Sequence, residues 1–129
     1  MKSEVATGID ELKRQFGAST VSSREDGLGG AYVIVEPVTI GAKFKPEATW
    51  FGFHMTPQYP YADIYPVFIG ADVTRADGVA FSAPITAGHF FENRPAVQVS
   101  RRNSSAQSAA QRASAKLLKI LAFMESIAS

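Results

Sequence analysis

Five residues near the end of the chain have side chains that could carry acyl-transfer chemistry: Ser100, the adjacent Arg101, Arg102 and Asn103, and His89 eleven positions upstream. A serine hydroxyl is almost wholly protonated at neutral pH, so it needs a nearby base to act as a nucleophile. His89 is the candidate base. The arginines could stabilise a developing oxyanion, and Asn103 offers an amide donor. Alternatively, Ser100 is an ordinary polar residue that caps a strand or helix.

The composition excludes several other kinds of chemistry. The chain has no cysteine, which removes disulfides, thiolate metal sites and thiol nucleophiles together. Its two histidines, His54 and His89, are too few for a convincing metal site, since most zinc sites need three or four protein ligands. The glycine-rich stretch 24–30 lacks the Lys-Ser or Lys-Thr of a phosphate-binding loop, so we interpret it as a turn. We therefore expect neither a metal nor a cofactor.

The charge of the chain is nearly balanced but unevenly distributed. The net charge is +1, whereas the stretch 93–124 carries six basic residues and no acidic one. This stretch is either a solvated basic helix face or a docking surface for an acidic partner. Nucleic acid is the less favoured partner, because aromatic residues that could stack on bases are not interleaved with the basic ones.

The length and hydropathy of the chain indicate one soluble domain. A chain of 129 residues is large enough for a single core, so we expect one domain that spans 1–129. The longest apolar run is far shorter than the ~20 residues that cross a bilayer. The charged N-terminal stretch has no apolar segment of the secretory type. We therefore expect no membrane association and a cytoplasmic location.

The elements that must position the candidate residues are two helices and a set of strands. Val5, Ile9, Leu12 and Phe16 recur at helical spacing, which predicts a helix over 4–16. A longer apolar stripe predicts a last helix that begins after Ser104 or Ser105; it comprises Ala106, Ala109, Ala110, Ala113, Leu117, Ile120, Leu121, Met124 and Ile127.

Strands are predicted between these helices. The clearest are 31–35, 48–55 and 67–73, with a weak edge strand at 20–23. In 48–55 the alternation assigns one face to the core, namely Thr49, Phe51, Phe53 and Met55. The stretch 79–96 loses periodicity and is expected to be irregular. The fold class is therefore α+β, with an N-terminal helix, an antiparallel sheet of about four strands and a C-terminal helix.

Two Tyr-Pro pairs lie between the predicted strands 48–55 and 67–73. Tyr59-Pro60 and Tyr65-Pro66 each combine a proline, which fixes its own φ, with a preceding residue that is restricted to extended geometry. The segment should form a stiff corner. This corner resembles the one found in ubiquitin-conjugating enzymes, and the order of the surrounding elements is also similar to theirs.

The resemblance implies a role in the transfer of a ubiquitin-like protein. In that family a His-Pro-Asn segment precedes a catalytic cysteine; here Gly88-His89-Phe90 precedes Ser100, without the Pro and Asn. Ser100 would accept the C-terminal carboxyl of the ubiquitin-like protein from an activating enzyme as an oxyester, and the nearest relatives would be bacterial. Two alternatives stay open: an inactive binding module of the same fold, or a different α+β domain. A serine hydrolase is disfavoured because a Gly-x-Ser-x-Gly elbow is missing.

Overall fold

Two helices pack on an antiparallel sheet in a computed structural model that describes residues 1–101 and 112–127. The chain is therefore an α+β fold. The elements follow one another in this order: α1 (Ser3–Phe16), a 3-10 turn (Ala18–Thr20), β1 (Val21–Glu25), β2 (Ala31–Thr39), β3 (Phe44–Lys45), β4 (Ala48–Met55), β5 (Val67–Gly70), β6 (Thr74–Arg75), β7 (Ile85–Phe91), β8 (Arg94–Val99) and α2 (Ala113–Ile127).

The main sheet has six strands in the order β1-β2-β4-β5-β8-β7, and every neighbouring pair is antiparallel. Strands β3 and β6 form a separate small ribbon. The prediction of about four strands was wrong. The four expected strands correspond to the meander β1-β2-β4-β5, and the two additional ones come from a stretch that was expected to be irregular.

The β7–β8 hairpin occupies most of 79–96, so the irregular stretch is a correction to the prediction. Its two turn residues, Glu92 and Asn93, have φ of 49° and 65°. Two consecutive positive φ values are the geometry of a type I′ turn, whose twist matches that of the paired strands. The loss of alternation comes from a bulge between Thr86 and His89, where Gly88 has a φ of 84°.

Helix α1 confirms the helix predicted over 4–16. The buried residues of its apolar stripe are Val5, Ile9 and Leu12, and they pack in the main core. The helix ends at Gly17, whose φ is 101° and whose N–H donates to the Lys13 carbonyl. Glycine adopts this conformation without the steric cost that a side chain would add.

The face of the sheet that packs against α1 carries the core residues predicted for β4. Thr49, Phe51, Phe53 and Met55 are all buried there. Helix α2 covers this face together with α1, through a buried stripe of Ala113, Leu117, Ile120 and Met124. Its predicted start at Ser104 or Ser105, and the alanines between 106 and 110, lie outside the described residues. Neither helix in the described ranges has the length and apolar character needed to cross a membrane.

The opposite face of the sheet is covered by the tip of the β7–β8 hairpin. Phe91 packs there with Trp50 and Ala96 in a second small cluster. Gly52 makes room for it, because a Cβ at that position would lie 2.6 Å from the Phe91 ring. The turn reaches as far as β1, where Arg24 forms a 2.8 Å ion pair with Glu92. β1 and β7 are at opposite ends of the strand order, yet the turn of the β7–β8 hairpin contacts β1. The hairpin therefore folds over one face of the sheet.

Candidate functional site

Ser100 lies directly after β8, where its backbone and side chain both have partners. Its N–H donates to the Pro84 carbonyl at 2.9 Å, which extends the pairing of the β7–β8 hairpin by one step. Its Oγ is 2.7 Å from Nε2 of Gln98, which donates to it. A side-chain amide does not take up a proton at neutral pH in either orientation. The hydroxyl contact of Ser100 therefore does not supply the base that a nucleophilic serine needs.

The His89 imidazole and the Ser100 hydroxyl have different hydrogen-bond partners. His89 is paired with Ala96 on β8, and its Nε2 lies 2.9 Å from Oγ1 of Thr86. Ala96 of β8 lies four positions before Ser100, so the backbones of His89 and Ser100 are about 13 Å apart along the strand direction. In the described contacts the imidazole bonds to Thr86 and the hydroxyl to Gln98, so the two side chains do not share a hydrogen bond. The role of Ser100 and His89 in acyl transfer stays a prediction that the geometry does not support.

Arg101 is directed toward α2. Its guanidinium lies 4.6 Å from the centre of the Phe123 ring, in cation–π contact. Its backbone carbonyl accepts a hydrogen bond from Lys116. The described contacts of Arg101 therefore attach the chain after β8 to the last helix. Arg102 and Asn103, the other two predicted site residues, lie outside the described ranges.

Lys116 joins three segments in the interior. Its side chain is 5% exposed, and its Nζ lies 3.0 Å from Oδ1 and 3.2 Å from Oδ2 of Asp63. The same Nζ donates to the Arg101 carbonyl at 2.7 Å. Helix α2, the Tyr-Pro corner and the segment after β8 are thus held by one ammonium group. We did not predict this link, although Lys116 lies beside Leu117 within the apolar stripe of the helix.

The Tyr-Pro corner also contacts both helices through Tyr59. The buried phenol accepts a hydrogen bond from the N–H of Ala113, the first residue of α2, at 3.2 Å. Desolvation of this ring by burial raises the pKa of Tyr59 above its ordinary value of 10.0. On α1, a Cβ at Gly8 would lie 2.7 Å from the Tyr59 hydroxyl, so the glycine permits the close approach.

A groove of about 340 Å³ runs along this junction of α1, the corner and the start of α2. Its lining includes Glu4 and Glu11 of α1 and Arg112, which directly precedes α2. The groove offers both carboxylates and a guanidinium beside an aromatic ring. Such a mixed lining fits a polar polypeptide segment better than an apolar cofactor.

A second polar group lies at the β1–β2 turn. Oδ2 of buried Asp26 lies 2.7 Å from Nε2 of His54, and the imidazole stacks on Tyr32 with ring centres 4.3 Å apart. The other carboxylate oxygen accepts the N–H groups of Leu28 and Gly30. The hydrogen bond to His54, together with these N–H groups, holds the pKa of Asp26 below its ordinary value of 3.8.

The Asp26–His54 pair is better suited to structure than to catalysis. A buried carboxylate can orient an imidazole for base catalysis, as in hydrolase triads. Here the carboxylate also closes the turn that contains it, and the imidazole is held flat against a tyrosine. We did not predict this pair, because Asp26 and His54 are 28 positions apart in the sequence. Within the described ranges, no three histidine, aspartate or glutamate residues come together as metal ligands.

Comparison of the chain with protein-family models, with curated proteins and with solved structures gives no match. The likeness to ubiquitin-conjugating enzymes therefore depends on the Tyr-Pro corner and the order of the elements. The structure adds a groove of about 340 Å³ beside the corner, and a corner that Lys116 and Tyr59 attach to α2. The candidate nucleophile and the candidate base bond to different residues, Gln98 and Thr86.

Proposed function

We propose that this protein is a component of ubiquitin-like-protein conjugation that acts as a non-covalent binding module. The observation that carries the choice of binding over catalysis is the environment of Ser100. Its hydroxyl accepts a hydrogen bond from the Gln98 amide at 2.7 Å, while the His89 imidazole bonds to Thr86. A hydroxyl without a base is a poor acceptor for a carboxyl group. The lack of cysteine favours the same choice.

The arrangement around the corner supports a role in holding another protein. The meander β1-β2-β4-β5 follows α1, and the corner joins β4 to β5 as the family resemblance implies. Lys116, Asp63 and Tyr59 fix the corner to α2. A preorganised surface binds with less loss of conformational freedom than a mobile one.

Tyr61 gives the corner an exposed aromatic contact. Its side chain is 61% exposed. Asp63, which follows Tyr61 by two positions, forms the ion pair with Lys116. An amphipathic ring on a rigid support is the type of residue that contributes most at protein interfaces. We infer that the ubiquitin-like protein, or the activating enzyme that presents it, contacts the protein at Tyr61.

The experiment that separates binding from catalysis looks for a covalent adduct. The protein is mixed with the cognate ubiquitin-like protein, its activating enzyme and ATP, and the products are treated with thiol reductant or mild base. We expect complex formation without an adduct, and equal binding by Ser100→Ala. A base-labile, reductant-resistant adduct that disappears in Ser100→Ala would instead establish the covalent carrier, the second candidate function.

A binding titration tests the surface itself. Tyr61→Ala should weaken binding of the ubiquitin-like protein or the activating enzyme at least tenfold, because a central aromatic contact contributes about 2 kcal/mol or more. Leu28→Ala is the matched control, since Leu28 is 79% exposed but lies in the β1–β2 turn. If neither partner binds the wild-type protein, the proposed function is wrong. Equal losses in both variants would exclude the corner as the contact surface.

A further inference from the structure

The two edge strands of the six-stranded sheet differ in how well they are protected against pairing with a further strand. Among the described strands, β1 and β7 are the end members. β1 carries charged residues at its end, Arg24 and Glu25, which discourage another strand from pairing. β7 has the sequence ITAGHFF, without a lysine, arginine or carboxylate. Its middle is exposed to solvent, and the Phe90 side chain is 70% exposed. A bulge between Thr86 and His89 interrupts β7, but the strand carries no charge, and uncharged edges are templates for further pairing.

The hydrogen-bond pattern of the hairpin shows which backbone groups of β7 face outward. The two-residue turn makes Phe91 and Arg94 a hydrogen-bonded pair, so the next pair, Phe90 with Pro95, is a non-hydrogen-bonded one. Consistent with this alternation, the Pro95 carbonyl accepts the N–H of Ala71 on the other side of β8. The N–H and C=O of Phe90 therefore point away from β8, toward the open edge.

Gly88 leaves a gap beside this edge. A Cβ built at this residue would have no neighbouring atom within 4 Å. The bulge places Gly88 two residues before Phe90 on the same strand, with its backbone exposed. An aromatic side chain from a paired strand can cover such a glycine, which stabilises strand pairs that contain one.

We propose that β7 pairs with β7 of a second copy of this chain, antiparallel about a two-fold axis at His89. In this register the Phe90 of each protomer lies opposite the Gly88 of the other. The register requires the N–H and C=O of Gly88 in the bulge to face the same edge, where they pair with the outward C=O and N–H of Phe90. Both contacts occur twice, as an isologous interface requires. The pairing brings no charged residue of β7 opposite another, so the edge is compatible with itself.

The size of this interface sets its strength. A stable interface buries about 800 Å² on each partner, and one seven-residue strand with a single exposed aromatic ring offers less than that. The dimer should therefore be weak and in exchange with the monomer. We propose a second copy rather than a foreign strand because β7 itself supplies both the phenylalanine and the glycine that lie opposite each other in this register.

Sedimentation equilibrium over a wide concentration range tests the proposal. The average mass of the wild-type protein should rise from 13.9 kDa toward twice that value as the concentration increases. Phe90→Lys should reduce the association constant at least tenfold, because it places two like charges in the interface. Leu28→Lys, which adds the same charge at another exposed apolar position, should associate like the wild type. A constant mass of 13.9 kDa in the wild type would overturn the proposal.

Hydrogen exchange supplies a measurement that does not depend on a variant. The amide of Phe90 should become more protected as the concentration of wild-type protein rises, while exposed amides of the β1–β2 turn should not change. If the mass rises but this protection does not, a different surface forms the dimer and the proposal is wrong. Protection that appears only on addition of a foreign peptide, with a monomeric wild type, would also refute it.

Discussion

Removal of the Lys116 ammonium should destabilise the fold more than removal of any surface charge. Lys116 and Asp63 are 5% and 11% exposed, and the ammonium contacts both carboxylate oxygens and the Arg101 carbonyl. Lys116→Met keeps most of the aliphatic volume but leaves Asp63 without this cation and the carbonyl without this donor. Breaking a buried ion pair from one side costs about 3–5 kcal/mol. That is a large fraction of the 5–15 kcal/mol that stabilises a typical domain.

Urea unfolding, followed by the fluorescence of Trp50 and by circular dichroism, measures this loss. With a denaturant dependence of about 1–3 kcal/mol/M, a loss of about 3 kcal/mol lowers the midpoint by about 1–3 M. The double variant Lys116→Met/Asp63→Leu replaces both charges with apolar groups. It should recover most of the loss, because paired replacement of a buried ion pair is often neutral. Because each single variant breaks the pair from one side and the double variant loses little, the coupling free energy of the two positions should be at least about 3 kcal/mol.

Lys43→Met is the matched control for this cycle. Lys43 also forms an ion pair with a residue of α2, Glu125, at 2.8 Å, but both side chains are largely exposed. Exposed pairs contribute about 0–1 kcal/mol, so the control should barely change the midpoint. Equal effects of Lys116→Met and Lys43→Met, or additive single variants in the cycle, would refute the view that Lys116 holds three segments together.

Three further outcomes follow from other contacts. Gly52→Ala should destabilise the protein by about 1–3 kcal/mol in urea unfolding because its Cβ would overlap the Phe91 ring, and less when Phe91 is also replaced by Leu. The hydrogen bond to His54 is the main cause of the lowered pKa of Asp26 in the folded state. The carboxylate therefore stabilises the fold above about pH 4, and this contribution is lost as the pH falls through the lowered pKa. Asp26→Asn should reduce the loss of stability that is measured between about pH 4 and pH 2. Tyr59→Phe should cost about 1 kcal/mol by thermal unfolding, because the first N–H of α2 loses its acceptor.

Elements whose core-facing residues recur at one regular period could be predicted from the sequence. The stripe of α1 and the alternation of β4 each satisfy one period, and both have one face in the same core. The β7–β8 hairpin could not be predicted from its period, because Gly88 and Pro95 interrupt the alternation. The available signal was the Glu92-Asn93 turn between two apolar runs, since asparagine tolerates positive φ.

The polar contacts were hidden by sequence distance. Asp63 and Lys116 are 53 positions apart, and the alternation of apolar residues carries no information about which loop a buried lysine will meet. Ser100 and His89 are close in sequence and belong to the same hairpin, but the sequence does not show which partners their side chains take. His89 bonds to Thr86 and Ser100 bonds to Gln98.

The hairpin also decides which surfaces remain for partners. If the sheet had only the four strands of the meander, its second face would expose Trp50, Tyr32 and Phe68 as a broad aromatic surface. The hairpin instead crosses that face, places Phe91 in it and reaches β1 through Glu92. The two surfaces that we propose for partners, the corner and the edge of β7, are both distinct from this covered face. Because these are different surfaces, the binding function and the pairing of two copies can occur in one molecule.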